Sequence, residues 1–94
     1  IGEFMNKTIL ITGANRGIGL ALTKICLSKN FYVEACCRKP EISNELISLS
    51  NNNCKLNITK MDVTNTKSIV SASENFKNKI DIMVCPSEEN LIRM

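Results

Sequence analysis

The sequence predicts an α/β fold built on a parallel sheet, with strands and helices alternating in the order βαβαβαβ. Three observations carry that prediction. A β-branched run, Thr8-Ile9-Leu10-Ile11, leads directly into Thr12-Gly13-Ala14-Asn15-Arg16-Gly17-Ile18-Gly19, which holds three of the chain's four glycines. The stretch behind the glycines changes to helical spacing. The same switch from strand period to helix period recurs twice more before a last apolar run near residue 80. Strands joined through helices in this way pair in parallel, with right-handed crossovers.

Taken in order, residues 8–12 read as a buried strand. Residues 17–29 read as a helix in which Ile18, Leu22 and Ile25 share one face, and Asn30 suits a left-handed stop. Residues 31–37 are β-branched and aromatic enough for a second strand. Pro40 interrupts the chain, and residues 41–50 place Ile42, Leu46 and Leu49 on one helical stripe. Residues 51–53, three asparagines, form a turn. Leu56 and Ile58 alternate in a third strand that ends near Met61, Asp62 and Val63. Thr64 or Asn65 caps the next helix, where Ile69, Ala72 and Phe76 share a face. Residues 80–84 form a fourth strand, and residues 85–94 are too short and mixed to assign.

Composition narrows the function. The 94 residues make one small domain, 44% hydrophobic, with a net charge of +3 from scattered rather than clustered cations. One Tyr, three Phe and no Trp offer no stacking platform, which argues against nucleic-acid binding. The five cysteines are odd in number, lack C-x-x-C spacing and have no histidine beside them, so reduced thiols are expected rather than a disulfide framework or zinc site. Cys36 and Cys37, adjacent on a strand, point to opposite faces. No apolar stretch reaches membrane-spanning length and no signal peptide is visible, so the expected location is cytoplasmic. Ile1-Gly2-Glu3-Phe4 reads as a cloning remnant ahead of a native start at Met5, leaving residues 5–94 for the fold.

A strand, a glycine-rich turn and a helix form a socket for a dinucleotide pyrophosphate. The glycines allow positive φ and close approach, and the helix start offers N–H groups and partial positive charge. A phosphate-binding loop of the nucleotide-hydrolysing kind needs Gly-Lys-Ser/Thr where this chain has Gly19-Leu20-Ala21, so that chemistry is disfavoured. The remaining alternative is a glycine turn that serves only tight strand–helix packing.

The spacing resembles the T-G-x-x-x-G-I-G signature of the short-chain dehydrogenases/reductases at every defined position. With Cys37-Arg38-Lys39-Pro40, Glu45-Leu46 and Asp62-Val63-Thr64, the chain looks like the carbonyl-reductase-like or sniffer-like branch over residues 6–84. The resemblance implies a Rossmann-type sheet and NADP(H)-dependent carbonyl reduction or alcohol oxidation. It also implies cofactor contacts from Gly13, Asn15, Arg16, Gly17, Ile18 and Gly19 at the phosphates, Arg38 at the 2′-phosphate, and Asp62 and Val63 at the adenine. Read without the family, Asp62 has simple turn chemistry ahead of a helix as its alternative.

Charge bears on the choice of cofactor. NAD-preferring folds place an acid near the end of the second strand to bind the ribose 2′-OH. Here Cys37 takes that place; Glu34 comes too early and Glu41 lies beyond the proline. Arg38 follows, and Arg16 lies in the glycine turn, two cations suited to a phosphate unless they are merely solvated charges. The expected cofactor is therefore NADP(H).

Family enzymes carry a Ser and a Tyr-x-x-x-Lys, and their fourth strand runs into Asn-Asn-Ala-Gly. In this chain the one tyrosine, Tyr32, is followed four residues later by Cys36, and Val84 runs into Cys85-Pro86-Ser87-Glu88. No catalytic residue is expected, as in a chain truncated after the fourth strand. A non-catalytic nucleotide-binding or interaction module is the rival reading. A fourth strand beside the first, with no fifth strand outside it, leaves an apolar edge and predicts a homo-oligomer.

Overall fold

A computed structural model describes residues 7–86. Four strands, β1 (Thr8–Thr12), β2 (Tyr32–Cys37), β3 (Leu56–Lys60) and β4 (Ile82–Val84), form one parallel sheet in the order β3-β2-β1-β4. Helices α1 (Gly17–Ser28), α2 (Asn44–Asn51) and α3 (Thr66–Ser73) alternate with them. The expected α/β Rossmann-type order is what the chain adopts. The segments read as a cloning remnant and as unassignable beyond residue 86 lie outside the described residues.

The sheet separates two apolar clusters. Ile9, Ile11, Val33, Ala35, Cys37 and Leu56 pack with Leu20 and Cys26 of α1 and Leu46 of α2. On the other face Leu10, Cys36 and Met61 meet Ala72 of α3. Cys36 and Cys37 thus point to opposite sides, as strand alternation requires. All five residues of β1 are buried, which marks it as the strand covered on both faces. All five cysteines are free thiols. Among the described residues no helix is long and apolar enough to cross a membrane.

Several local expectations shift. The buried face of α1 is Gly19, Leu20, Thr23 and Cys26, while Ile25 is 51% exposed. Gly19 sets this rotation, because it must turn toward the backbone of Gly13. Thr23 can then enter the core because its hydroxyl donates to Gly19 O at 2.8 Å. A count of apolar residues cannot see a buried threonine.

Residues 41–50 do not form one helix. Pro40–Ile42 make a 3-10 turn with Ile42 66% exposed, and α2 starts at Asn44. The break falls at Ser43, whose backbone leaves the helical region and whose hydroxyl donates to Lys39 O at 2.9 Å. Leu46 still reaches the core.

Asn30 is left-handed at φ 68, and Phe31 N donates to Cys26 O at 3.1 Å, closing the end of α1. Asn65 caps α3 by accepting from Ser68 N at 3.2 Å. β4 is shorter than residues 80–84 because Asp81 belongs to a different device: its carboxylate accepts from Thr8 N at 2.9 Å while its own N–H donates to Thr8 O.

Candidate functional site

The parallel sheet carries every candidate residue to one edge. The chain leaves β1 through Gly13 (φ 60), Ala14, Asn15, Arg16 and Gly17 (φ 57) before α1 begins. Both glycines take the left-handed conformation that other residues adopt only at a cost. Ala14 N donates to Cys36 O at 3.1 Å, which ties this turn to the end of β2.

Gly19 answers a separate demand. A Cβ there would sit 2.8 Å from the Gly13 carbonyl carbon and 3.1 Å from Ala14 Cα, and closer still to the Gly13 oxygen. Only a bare α-carbon lets the first turn of α1 lie against the glycine loop. The helix start at Arg16 has no side-chain cap and no acid in its first turn, and a helix N-terminus of this kind offers N–H groups and partial positive charge to an anion.

At the ends of the neighbouring strands stand the other candidates. Cys37 is buried, its Sγ 3.6 Å from Ser43 Oγ, and the exposed Arg38 follows directly. Arg16 is likewise exposed, on the turn after β1, and Asn15 and Ile18 are half-buried there. Asp62 and Val63 follow β3, with Val63 54% exposed. Asp62 Oδ1 accepts from Thr64 N at 2.9 Å and from Thr64 Oγ1 at 2.7 Å, so the turn chemistry foreseen as its alternative role is present. These hydrogen bonds, with Arg38's charge adding, hold the Asp62 carboxyl below the usual carboxylate range. Nearby, burial and then the Glu34 carboxylate push the Cys36 thiol up to about 12.

The chain runs from β1 outward through β2 and β3, then returns to place β4 on the other side of β1. A crevice outside the strand ends at such a reversal is where open α/β sheets bind ligands. Tyr32, by contrast, starts β2 in register with Thr8, at the opposite edge, and Lys55 Nζ lies 5.1 Å above its ring. A cavity of about 310 Å3 lined by Asn57, Thr59, Lys60 and Lys77 lies along β3, away from the glycine turn.

Two polar devices escaped the sequence reading. Asp81 closes the start of β1, as described above. Glu34 turns into the interior rather than toward a ribose, 1% exposed. Each finds its partner far along the chain, and no local spacing announces either.

Relatives agree with this geometry. The chain is 35% identical over 81 residues to an uncharacterized oxidoreductase of Schizosaccharomyces pombe, covering 83% of this chain and 26% of that one. It is 35% identical over 86 residues to human 3-keto-steroid reductase/17-beta-hydroxysteroid dehydrogenase 7, covering 86% and 25%. Its fold superposes on the crystal structure of serine dehydrogenase from Escherichia coli with a TM-score of 0.70 and 28% identity, over 81% of this chain and 35% of that one. The chain therefore spans about a quarter of the length of these curated relatives. A family model described as short chain dehydrogenase matches residues 7–85, and on that match the chain belongs to the short-chain dehydrogenases, oxidoreductases that work with a nicotinamide dinucleotide.

Proposed function

We propose that this chain holds NADP(H) for carbonyl reduction or alcohol oxidation of the carbonyl-reductase-like kind. In this reading Gly13, Asn15, Arg16, Gly17, Ile18 and Gly19 surround the phosphates, Arg38 meets the 2′-phosphate, and Asp62 and Val63 border the adenine. The observation that carries the preference is the end of β2: no acid stands there, Cys37 is buried, and Arg38 is exposed beside the turn that holds Arg16. A 2′-hydroxyl finds no carboxylate at that place, whereas a phosphate finds a guanidinium.

Calorimetry on the 94-residue chain tests this. NADPH or 2′-phospho-ADP should bind more tightly than NADH or ADP. A charge-assisted hydrogen bond contributes about 1.5–3 kcal/mol, so Arg38→Ala should weaken NADPH binding about tenfold or more and leave NADH little changed. Equal affinity for the two cofactors in the unmutated chain refutes the preference.

A second reading, cofactor binding without turnover by this chain itself, is favoured by the place of Tyr32. It stands at the sheet edge opposite the glycine turn, and a proton donor must lie within hydrogen-bond reach of the reacting oxygen. Aldehyde-dependent NADPH oxidation that survives Tyr32→Phe counts against it. We further place the chain in a reducing cytoplasm, a reading supported by its unpaired thiols. Self-association through β4 belongs to the same proposal: Ile82 is 39% and Met83 61% exposed, and that edge carries neither Pro nor Lys. A monomer of 10.5 kDa by ultracentrifugation at high micromolar concentration overturns it.

A further inference from the structure

Glu34 has no part in the cofactor contacts, yet it is among the most deeply buried side chains of the chain, in the middle of β2. A carboxylate in such a place is costly unless hydrogen-bonded. Two donors meet it. Asn57 Nδ2, from β3, approaches Oε1 at 2.6 Å, and the backbone N–H of Lys77 approaches Oε2 at 2.9 Å. The same Asn57 amide also donates to Asn75 O at 3.2 Å. Glu34 therefore ties β2 and β3 to the segment that leaves the C-terminal end of α3.

The other end of α3 is tied to the nucleotide side of the sheet. Asp62 N donates to Ser68 Oγ at 2.9 Å, and Ser68 N donates to Asn65 Oδ1 at 3.2 Å. Between these two attachments the apolar seat is thin. Of the helix's own residues only Ala72 is buried, while Ile69 and Val70 are 40% and 56% exposed. An eight-residue helix is a rod of about 12 Å. With little packing to hold it, the polar attachment at one end sets where the other end lies.

We propose that Glu34 is a positioning residue for the Asp62 and Val63 side of the site, acting through α3. The functional consequence rests on the nucleotide-binding reading; the mechanical linkage does not. A carboxylate presents acceptors only, which matches two N–H donors. Glutamine keeps the volume but turns one acceptor into an NH2, so that either a donor faces the Lys77 N–H, or the Asn57 amide must turn its oxygen to Gln and give up its bond to Asn75 O.

Residue-resolved amide exchange on the full chain tests the linkage. In Glu34→Gln, exchange should rise about tenfold at Lys77 and also at Asp62, Thr64 and Ser68, the loss expected from one charge-assisted hydrogen bond. Leu20, bonded to Arg16 O at the start of α1, should keep its rate. A change confined to the neighbourhood of Lys77, or a uniform rise across the chain, overturns the proposal. Asn57→Ala removes the Asn75 tie while sparing the bond to Lys77 N, and should give the same pattern to a smaller degree; it decides the matter should Glu34→Gln not fold. A ligand arm separates the two readings. Glu34→Gln should weaken ADP, which carries adenine, and leave pyrophosphate unchanged. A wild-type chain that binds neither ligand refutes the nucleotide reading alone, and the exchange pattern still decides the role of Glu34.

Discussion

Gly19→Ala tests the claim that the glycine turn and α1 are one closely fitted unit. The new methyl would lie 2.8 Å from the Gly13 carbonyl carbon, 0.6 Å inside the 3.4 Å at which ordinary contact begins, and nearer still to the oxygen. Those atoms are backbone and cannot rotate away, so the helix start or the turn must move. Overpacking of this kind costs about 3 kcal/mol at the upper end of its usual range. Alanine returns about 1 kcal/mol through its better helix propensity. The net loss is about 2 kcal/mol, a large share of the roughly 5 kcal/mol that so small a domain commands. Thermal unfolding should fall by about 8–16 °C. Gly13→Ala is the control. A Cβ there meets nothing within 4 Å, and only its φ of 60 resists, at about 1 kcal/mol. The smaller loss should belong to Gly13→Ala. A melting temperature for Gly19→Ala within the scatter of the unmutated chain, or a larger fall for Gly13→Ala, refutes the reasoning.

Two further outcomes follow from the buried and exposed groups. Under native conditions an alkylating reagent should label Cys54 and Cys85, which are exposed, well before Cys36, whose thiol is buried and pushed up to about 12; mass spectrometry of the labelled peptides reads the order. An NMR titration should place the Asp62 carboxyl below its ordinary 3.8, and Arg38→Ala should raise it only in part because Thr64 contributes first. With the folded value lowered, the stabilising effect of Asp62 is complete above 3.8 and is lost as pH falls through the folded value, so acid unfolding of Asp62→Asn should lack that component.

Much of the fold was legible because its signals are local. The glycine turn, the β-branched runs and the cap at Asn65 each lie within a few residues of what they determine. The strand order follows from connectivity once the helices are placed. The rotation of α1 was not legible, because it is set by the contact of Gly19 with Gly13 rather than by the apolar residues Ile18, Leu22 and Ile25. The helix at residues 41–50 failed for a related reason. Ile42, Leu46 and Leu49 have helical spacing, but Ser43 spends its hydroxyl on Lys39 O and bends the chain between the first and second of them.

At the candidate site, the sequence was sufficient for the residues whose part is backbone shape. Gly13, Gly17 and Gly19 declare themselves by spacing, and their left-handed φ or close approach follows; the proposed part of Arg38 rests on its following a strand that ends without an acid. Glu34 shows where that logic stops. Counted from the glycines it is an acid somewhat too early for a ribose, and no spacing says what else it does. Strand alternation puts it on the face of Cys36, toward α3, but one of its donors lies 43 residues away at Lys77 N. Asp81 and Thr8 are separated by 73 residues. Such partners become neighbours only after three crossovers have brought the later segments back to the sheet. A buried carboxylate in a small domain is tolerated because the Asn57 amide on the neighbouring β3 and the returning Lys77 N–H meet it together. The glycine turn needs only α1 and the end of β2, which Ala14 N reaches at Cys36 O, whereas the Asp62 and Val63 side, proposed to border the adenine, depends on β2, β3 and α3 all being in place. Mutations that loosen the later segments should accordingly spare pyrophosphate and weaken adenine-bearing ligands first.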